Sequence, residues 1–176
     1  MFVSDAGSCG TGVVTFRLDP GNGPWEYSIS GDEEPNWLAL FSTSGMPLYT
    51  APSELATLDC STCLQPWAIP IGYGTADLGD AGTEETWDGL FFAPDDAGTC
   101  SKAPGGPYGS GCVTPVCAPP GPYVAFMCAC GSGAPASSGL PSSYAYAVAA
   151  CTNPTCVRVP FEYPSPAVVV GTMGDE

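Results

Sequence analysis

From Val13 to Leu18 the chain alternates, with Val14, Phe16 and Leu18 on one side and Val13, Thr15 and Arg17 on the other. Side chains of a strand point to its two faces in turn, so this pattern predicts a strand with one face buried. Trp25 to Ile29 alternates in the same way, after the turn sequence Asp19-Pro20-Gly21-Asn22-Gly23-Pro24. Trp37 to Phe41 is continuously apolar, the pattern of a central strand covered on both faces. A turn at 42–45 then leads into a short strand, Pro47 to Tyr49. Late in the chain, Val157, Val159, Phe161 and Tyr163 are expected inward, with Arg158 and Glu162 outward. Val168 to Val170 predicts a short last strand.

The stretch from Thr86 to Cys130 organises the middle of the chain. Thr86-Trp87-Asp88-Gly89-Leu90-Phe91-Phe92 opens it, and Pro120-Gly121-Pro122-Tyr123-Val124 starts the apolar run that closes it. Strand, long cross-linked loop, strand is the expectation, with Cys100, Cys112 and Cys117 in the loop. Gly72 to Glu85 reads as a long loop rich in Gly and Asp. Residues 54–58 fit a strand or a helical turn, 64–71 an edge strand limited by Pro66 and Pro70, and 144–150 a further strand. Cys151 to Cys156 reads as a turn, and Gly171 onward as a frayed end. The expected organisation is a leader at 1–10 pinned by Cys9, one domain at 11–171 and a tail at 172–176. Within the domain lie a Cys-rich insertion at 100–117 and a Gly/Ser/Pro/Ala loop at 131–143. No charged-then-apolar signal precedes Phe2, so the chain reads as a mature form with Met1 added. No apolar run approaches the ~18 residues of a membrane-spanning helix.

Length and composition sharpen this picture. The 176 residues suit a single domain with a sizeable core. Gly (23) and Pro (20) are abundant, yet 44% of residues are hydrophobic, which favours a packed chain with many turns over a disordered one. Pro interrupts nearly every helix-length window, so the fold class expected is all-β.

Charge removes whole classes of function. Lys plus Arg number 3 against 18 Asp plus Glu, a formal charge of −15. Arg17, Lys102 and Arg158 are far apart, so the clustered cations that neutralise nucleic-acid phosphates are missing. An anionic membrane surface would repel the chain, whereas cations or a basic partner would be attracted. There is no His, which removes the usual general base, the usual triads and a common metal ligand.

The ten cysteines are Cys9, Cys60, Cys63, Cys100, Cys112, Cys117, Cys128, Cys130, Cys151 and Cys156. Their even number predicts disulfides throughout and an oxidising compartment, periplasmic or extracellular. Cys128 and Cys130 lie two apart on one predicted strand, on the same face, so each should bridge to a different partner. Cys151 with Cys156 and Cys100 with Cys112 are the expected local bridges. Cys60-Ser61-Thr62-Cys63 also has the spacing of a redox motif or half a zinc site, with Cys128 and Cys130 as the other half.

Two acidic chemistries remain. Asp77, Asp80, Glu84, Glu85 and Asp88 gather in twelve residues, and calcium takes six to eight oxygens, so an irregular calcium site is one reading and a solvated loop the other. The same loop is where a metal-dependent or carboxylate-dependent hydrolase would place its carboxylates. Trp67, Tyr73, Tyr108, Tyr144 and Tyr146 stand among Gly, Pro and Ser, as aromatics do at protein or carbohydrate contact surfaces and also beneath long loops.

Trp87-Asp88-Gly89 and the later Pro120-Gly121-Pro122-Tyr123-Val124 resemble the Trp-Asp-Gly hairpin and Gly-x-Tyr strand start of bacterial Ig-like domains. Those are the domains of the flagellar hook-cap and proteinase-inhibitor type. Trp37 to Tyr49 is similar to an earlier hairpin in them. The resemblance spans about half the chain and implies a disulfide-stapled, Ig-like or fibronectin-like β-sandwich. The insertion between the two motifs departs from that pattern, and proteinase inhibition is not carried over. The resulting expectation is an exported, non-enzymatic binding or structural surface protein without a resident cofactor.

Overall fold

The computed structural model describes residues 9, 12–30, 36–50, 58–59, 73–95, 112–131, 151, 154–165 and 168–174, with 30, 58–59, 73–74, 94–95 and 112–113 described by backbone alone. Every regular element among them is a β-strand, so the fold is all-β. The strands are β1 (Val14–Asp19), β2 (Glu26–Ser30), β3 (Leu38–Ser42), β4 (Pro47–Leu48), β5 (Leu58–Asp59), β6 (Tyr73–Asp77), β7 (Thr83–Trp87), β8 (Leu90–Asp95), β9 (Cys112–Cys117), β10 (Gly121–Cys130), β11 (Pro154–Tyr163) and β12 (Val168–Thr172). They form three sheets. The first runs β12-β1-β7, the second β4-β3-β10-β2-β6 with β11 beside β10, and the third β5-β9-β8.

β1 behaves as its alternation requires. Val14, Phe16 and Leu18 are fully buried while the residues between them are half-buried. β12 pairs with β1 in parallel, and β7 pairs with its other edge antiparallel. This sheet packs its buried side on the second sheet. Phe16 meets Phe161 of β11 edge to face at 5.1 Å, and Trp87 stands 4.9 Å from the ring of Tyr163. Each such fully buried side chain contributes about 1.5–3 kcal/mol.

β10 is the spine of the second sheet. One edge pairs with β11 over its whole length, and the other with β3 from Tyr123 to Met127. Its odd-numbered residues Tyr123, Ala125, Met127 and Ala129 enter the main core. Its even-numbered face joins Val124 and Phe126 to Ala39 and Phe41 of β3, a second and smaller apolar cluster. β3 is therefore covered on both faces, as its unbroken apolar run implied. The bridge between Tyr49 and Phe92 ties the second sheet to the third.

Among the described residues, three disulfides reinforce this arrangement. Cys128 and Cys156 face each other in the β10–β11 register, and Cys130 one step along binds Cys151. Cys9 is bonded to Cys117 at the end of β9, across 108 residues of chain. Cys128 and Cys130 thus bridge to different partners, as their shared face demanded. The expected local bridge between Cys151 and Cys156 is not made. Pro154 to Cys156 begins β11 instead of closing a turn, and the antiparallel register carries Cys156 to Cys128. Cys60, Cys63 and Cys100, and the side chain of Cys112, lie outside the described residues, and so does the expected Cys100–Cys112 bridge.

Three other segments differ from expectation. The loop expected from Gly72 to Glu85 is two strands, β6 and β7, joined by a tight turn at 78–82. Both lie at sheet edges, and their outward faces are polar and exposed, with Thr75 and Asp77 on β6 and Glu84 and Thr86 on β7. The cross-linked loop before β10 contains β9, paired with β8. Pro115 of β9 stands opposite Phe92 of β8, and among the described residues β5 pairs only with Cys112 and Val113. At the far end Gly171 and Thr172 belong to β12, and Met173 is buried with its N–H donating to the Asp19 carbonyl. The strand expected at 144–150 and the one at 64–71 fall outside the described residues.

Candidate binding cleft

Two turns meet at one end of the molecule. The β1–β2 turn carries Pro20, Gly21, Gly23, Pro24 and Trp25, and the β6–β7 turn carries Asp77, Gly79 and Asp80. Together they line a cleft of about 510 Å³. Two Pro and two Gly within five positions make a strand impossible there, so the chain must turn between β1 and β2. Gly21 sits so close to the Met173 carbonyl that a side chain would overlap it, which holds the turn against the end of β12. The Leu78 N–H donates to the Trp25 carbonyl at 2.8 Å, and buried Leu78 anchors the second turn to the core. Asp77 accepts the Gly79 N–H at 2.9 Å and so shapes the turn in which Asp80 stands.

Trp25 is the wall of the cleft. It is half-buried and packs against the main core, at the rim position that a Gly-Pro turn before it suggests. Gly131 lies flat against its six-membered ring, where an added Cβ would come within 2.7 Å. Its indole Nε1 is buried without a hydrogen-bond partner among the described residues. Glu26, the next residue, is exposed and directly opposite exposed Asp77 in the β2–β6 register. Like charges placed opposite on adjacent strands repel.

The five carboxylates of the proposed calcium loop do not converge. Asp77 and Asp80 stay at the cleft. Glu84 and Glu85 lie on opposite faces of β7, and Asp88 occupies the turn beyond its other end, where it accepts the Leu90 N–H at 2.9 Å. From Asp80 to Asp88 the intervening strand alone extends about 17 Å. Among the described residues no group of three or more acidic, Cys or His side chains is arranged to hold a metal ion. Cys128 and Cys130, which the zinc reading set beside Cys60 and Cys63, are both bonded in disulfides. Of the aromatics marked for surface contact, Trp67, Tyr108, Tyr144 and Tyr146 and the Tyr73 side chain lie outside the described residues.

Trp87, Tyr123 and Tyr163 form a polar-tipped aromatic cluster at the opposite end of β7. Trp87 Nε1 donates to the Leu90 carbonyl at 2.6 Å, the Tyr123 hydroxyl to the Pro119 carbonyl at 2.7 Å, and the Tyr163 hydroxyl to the Asp88 carbonyl at 3.0 Å. Each ring tip fastens a turn while its body fills the core. Burial, and then the neighbouring Tyr163, push the Tyr123 phenol above its ordinary pKa. All three polar tips are engaged with backbone, so the cluster is structural.

Comparison with protein-family models, with curated protein sequences and with solved structures returns no match.

Proposed function

We propose that this chain is an exported, non-enzymatic scaffold that works by presenting its turns to a partner or as a structural component of a surface. The observation that carries the reading is the placement of the cross-links. Two adjacent disulfides lock β10 to β11 and to the segment before it, and a third holds Cys9 to β9 across most of the chain. Such bonds persist in oxidising compartments and make a rigid support for short turns. We take the architecture to be an Ig-like sandwich. Parallel pairing of β1 with β12, a buried Trp87 between Tyr123 and Tyr163, and the Tyr123 hydroxyl reaching back to Pro119 support that assignment.

Fractionation of producing cells, followed by alkylation of unreduced, denatured protein, tests the reading. The protein is expected outside the cytoplasm with none of its ten cysteines labelled. A cytoplasmic pool with alkylatable thiols would refute it. Turnover of peptide or glycan substrates by the purified protein would replace it with the hydrolase alternative.

A further inference from the structure

We infer that β12 is a strand-addition edge at which a second copy of this chain docks, β12 against β12, joining the two first sheets into one. Among the described residues β12 pairs with β1 alone, which leaves the backbone groups of its other edge without a strand. Soluble proteins blunt such edges with charged residues or Pro. Among the described residues every other strand at the end of a sheet has one: Glu84 in β7, Pro47 in β4, Asp77 in β6, Pro160 in β11, Asp59 in β5 and Pro94 in β8. β12 reads Val168-Val169-Val170-Gly171-Thr172 and has neither. Its outward Val168 and Val170 are 51% and 46% exposed, while Val169 is buried on the inner face. One bare, β-branched edge in an otherwise guarded protein is the pattern of a pairing site.

The occupant follows from charge and from the strand's own sequence. At −15 two copies repel across most of their surfaces, so they meet most readily along a seam without charge. β12 has no charged residue. The charges beside it in the pairing register, Arg17 opposite Val170 and Asp19 opposite Thr172, are joined to each other at 2.5 Å. Residues directly opposite in an antiparallel pair share a face. Pairing centred on Val170 therefore sets Val170 against Val170 of the second copy and Val168 against its Thr172, all of them β-branched. On the inner face Val169 meets Gly171, which leaves room for it. The match is two-fold and closes at a dimer. Five paired residues extend about 17 Å, well short of a standard interface, so the dimer is weak, with a Kd on the order of 100 μM.

The test is sedimentation equilibrium of the intact, oxidised protein from about 10 μM to about 1 mM, with hydrogen exchange at both ends of that range. A monomer–dimer equilibrium is expected, with β12 amides gaining protection at the higher concentration. Raising NaCl from about 50 mM to about 500 mM should tighten it several-fold, because salt screens the repulsion between acidic bodies and the seam holds no ion pair to weaken. Val170→Glu should raise Kd about tenfold or more by setting two carboxylates face to face, and Arg17 beside it in the register favours the folded monomer. Met46→Glu adds the same charge at a residue 66% exposed before β4 and should leave Kd within about twofold. Val168→Lys lowers the net charge yet should also weaken the dimer, because it guards the edge. Denaturant midpoints of the variants confirm that each is folded. A monomer throughout the range would overturn the inference and leave the edge to an extended segment of another protein. A dimer that resists both β12 variants, weakens equally with Met46→Glu, or loosens with salt would also overturn it, because its seam would lie elsewhere. The scaffold reading above does not depend on any of these outcomes.

Discussion

Replacing Gly89 by Ala should be among the most damaging single-methyl changes in this protein, and the structure says how damaging. Gly89 joins β7 to β8 with a φ of +87°, and an added Cβ would overlap the hydroxyl and ring of Tyr163. The backbone cost of a left-handed alanine is about 1–2 kcal/mol. Displacing a ring that is 2% exposed and packed on Trp87 adds about 1–3 kcal/mol. Losing the hydrogen bond from Tyr163 to the Asp88 carbonyl adds about 1–3 kcal/mol more. Gly45 supplies the control, because its φ is +83° and nothing lies within 4 Å of its would-be Cβ. Gly45→Ala should therefore cost only the backbone term. The difference between the two variants, about 2–6 kcal/mol, isolates the contact with Tyr163. Denaturant midpoints measured with the disulfides intact give both numbers against a shared unfolded state. In a Tyr163→Ala background the Gly89→Ala cost should fall to that of Gly45→Ala. Equal midpoints for Gly45→Ala and Gly89→Ala, or an undiminished cost in the Tyr163→Ala background, would refute the reasoning.

Other expectations follow from the same packing. Trp37→Ala and Trp87→Ala should each cost about 3–5 kcal/mol, because both rings are buried, while half-buried Trp25→Ala should cost less by denaturant midpoint. Opening Cys9–Cys117 by paired Ser substitutions frees a 108-residue separation and should cost about 4.8 kcal/mol, and opening Cys130–Cys151 should cost clearly less, because Cys128–Cys156 encloses it and keeps that segment closed. A peptide map of the unreduced protein should recover those two pairs together with Cys128–Cys156. Because the Tyr123 phenol is raised in the folded state, its contribution is fully present below about pH 10 and is lost as pH rises through the folded value. Stability measured across that alkaline range should fall, and Tyr123→Phe should flatten the slope.

Alternation along single strands was legible without any structure. It placed Val14, Phe16 and Leu18 in the core, made β3 a strand covered on both faces, and turned Phe161 and Tyr163 inward. It also showed that Cys128 and Cys130 must have different partners, because side-chain direction is a local property of an extended backbone. Composition was enough for an all-β chain, and the Gly-Pro turn before Trp25 was enough for a rim position. Partnership is a different matter. Which cysteine Cys128 meets depends on β11 lying antiparallel in a register that only the packed sheet sets. β6 and β7 show their strand character in backbone pairing to β2 and β1, because apart from Trp87 their inward positions carry small or polar residues such as Ala76, Thr83 and Glu85 that give no apolar period. The cleft joins Trp25 to Asp77 and Asp80, two turns some fifty residues apart, so no spacing in the chain announces it. The acidic run suggested five carboxylates acting together, but an extended strand carries its residues apart as surely as a loop could have gathered them. Side-chain direction was written locally, and everything that needed two distant segments to meet was decided by the tertiary fold.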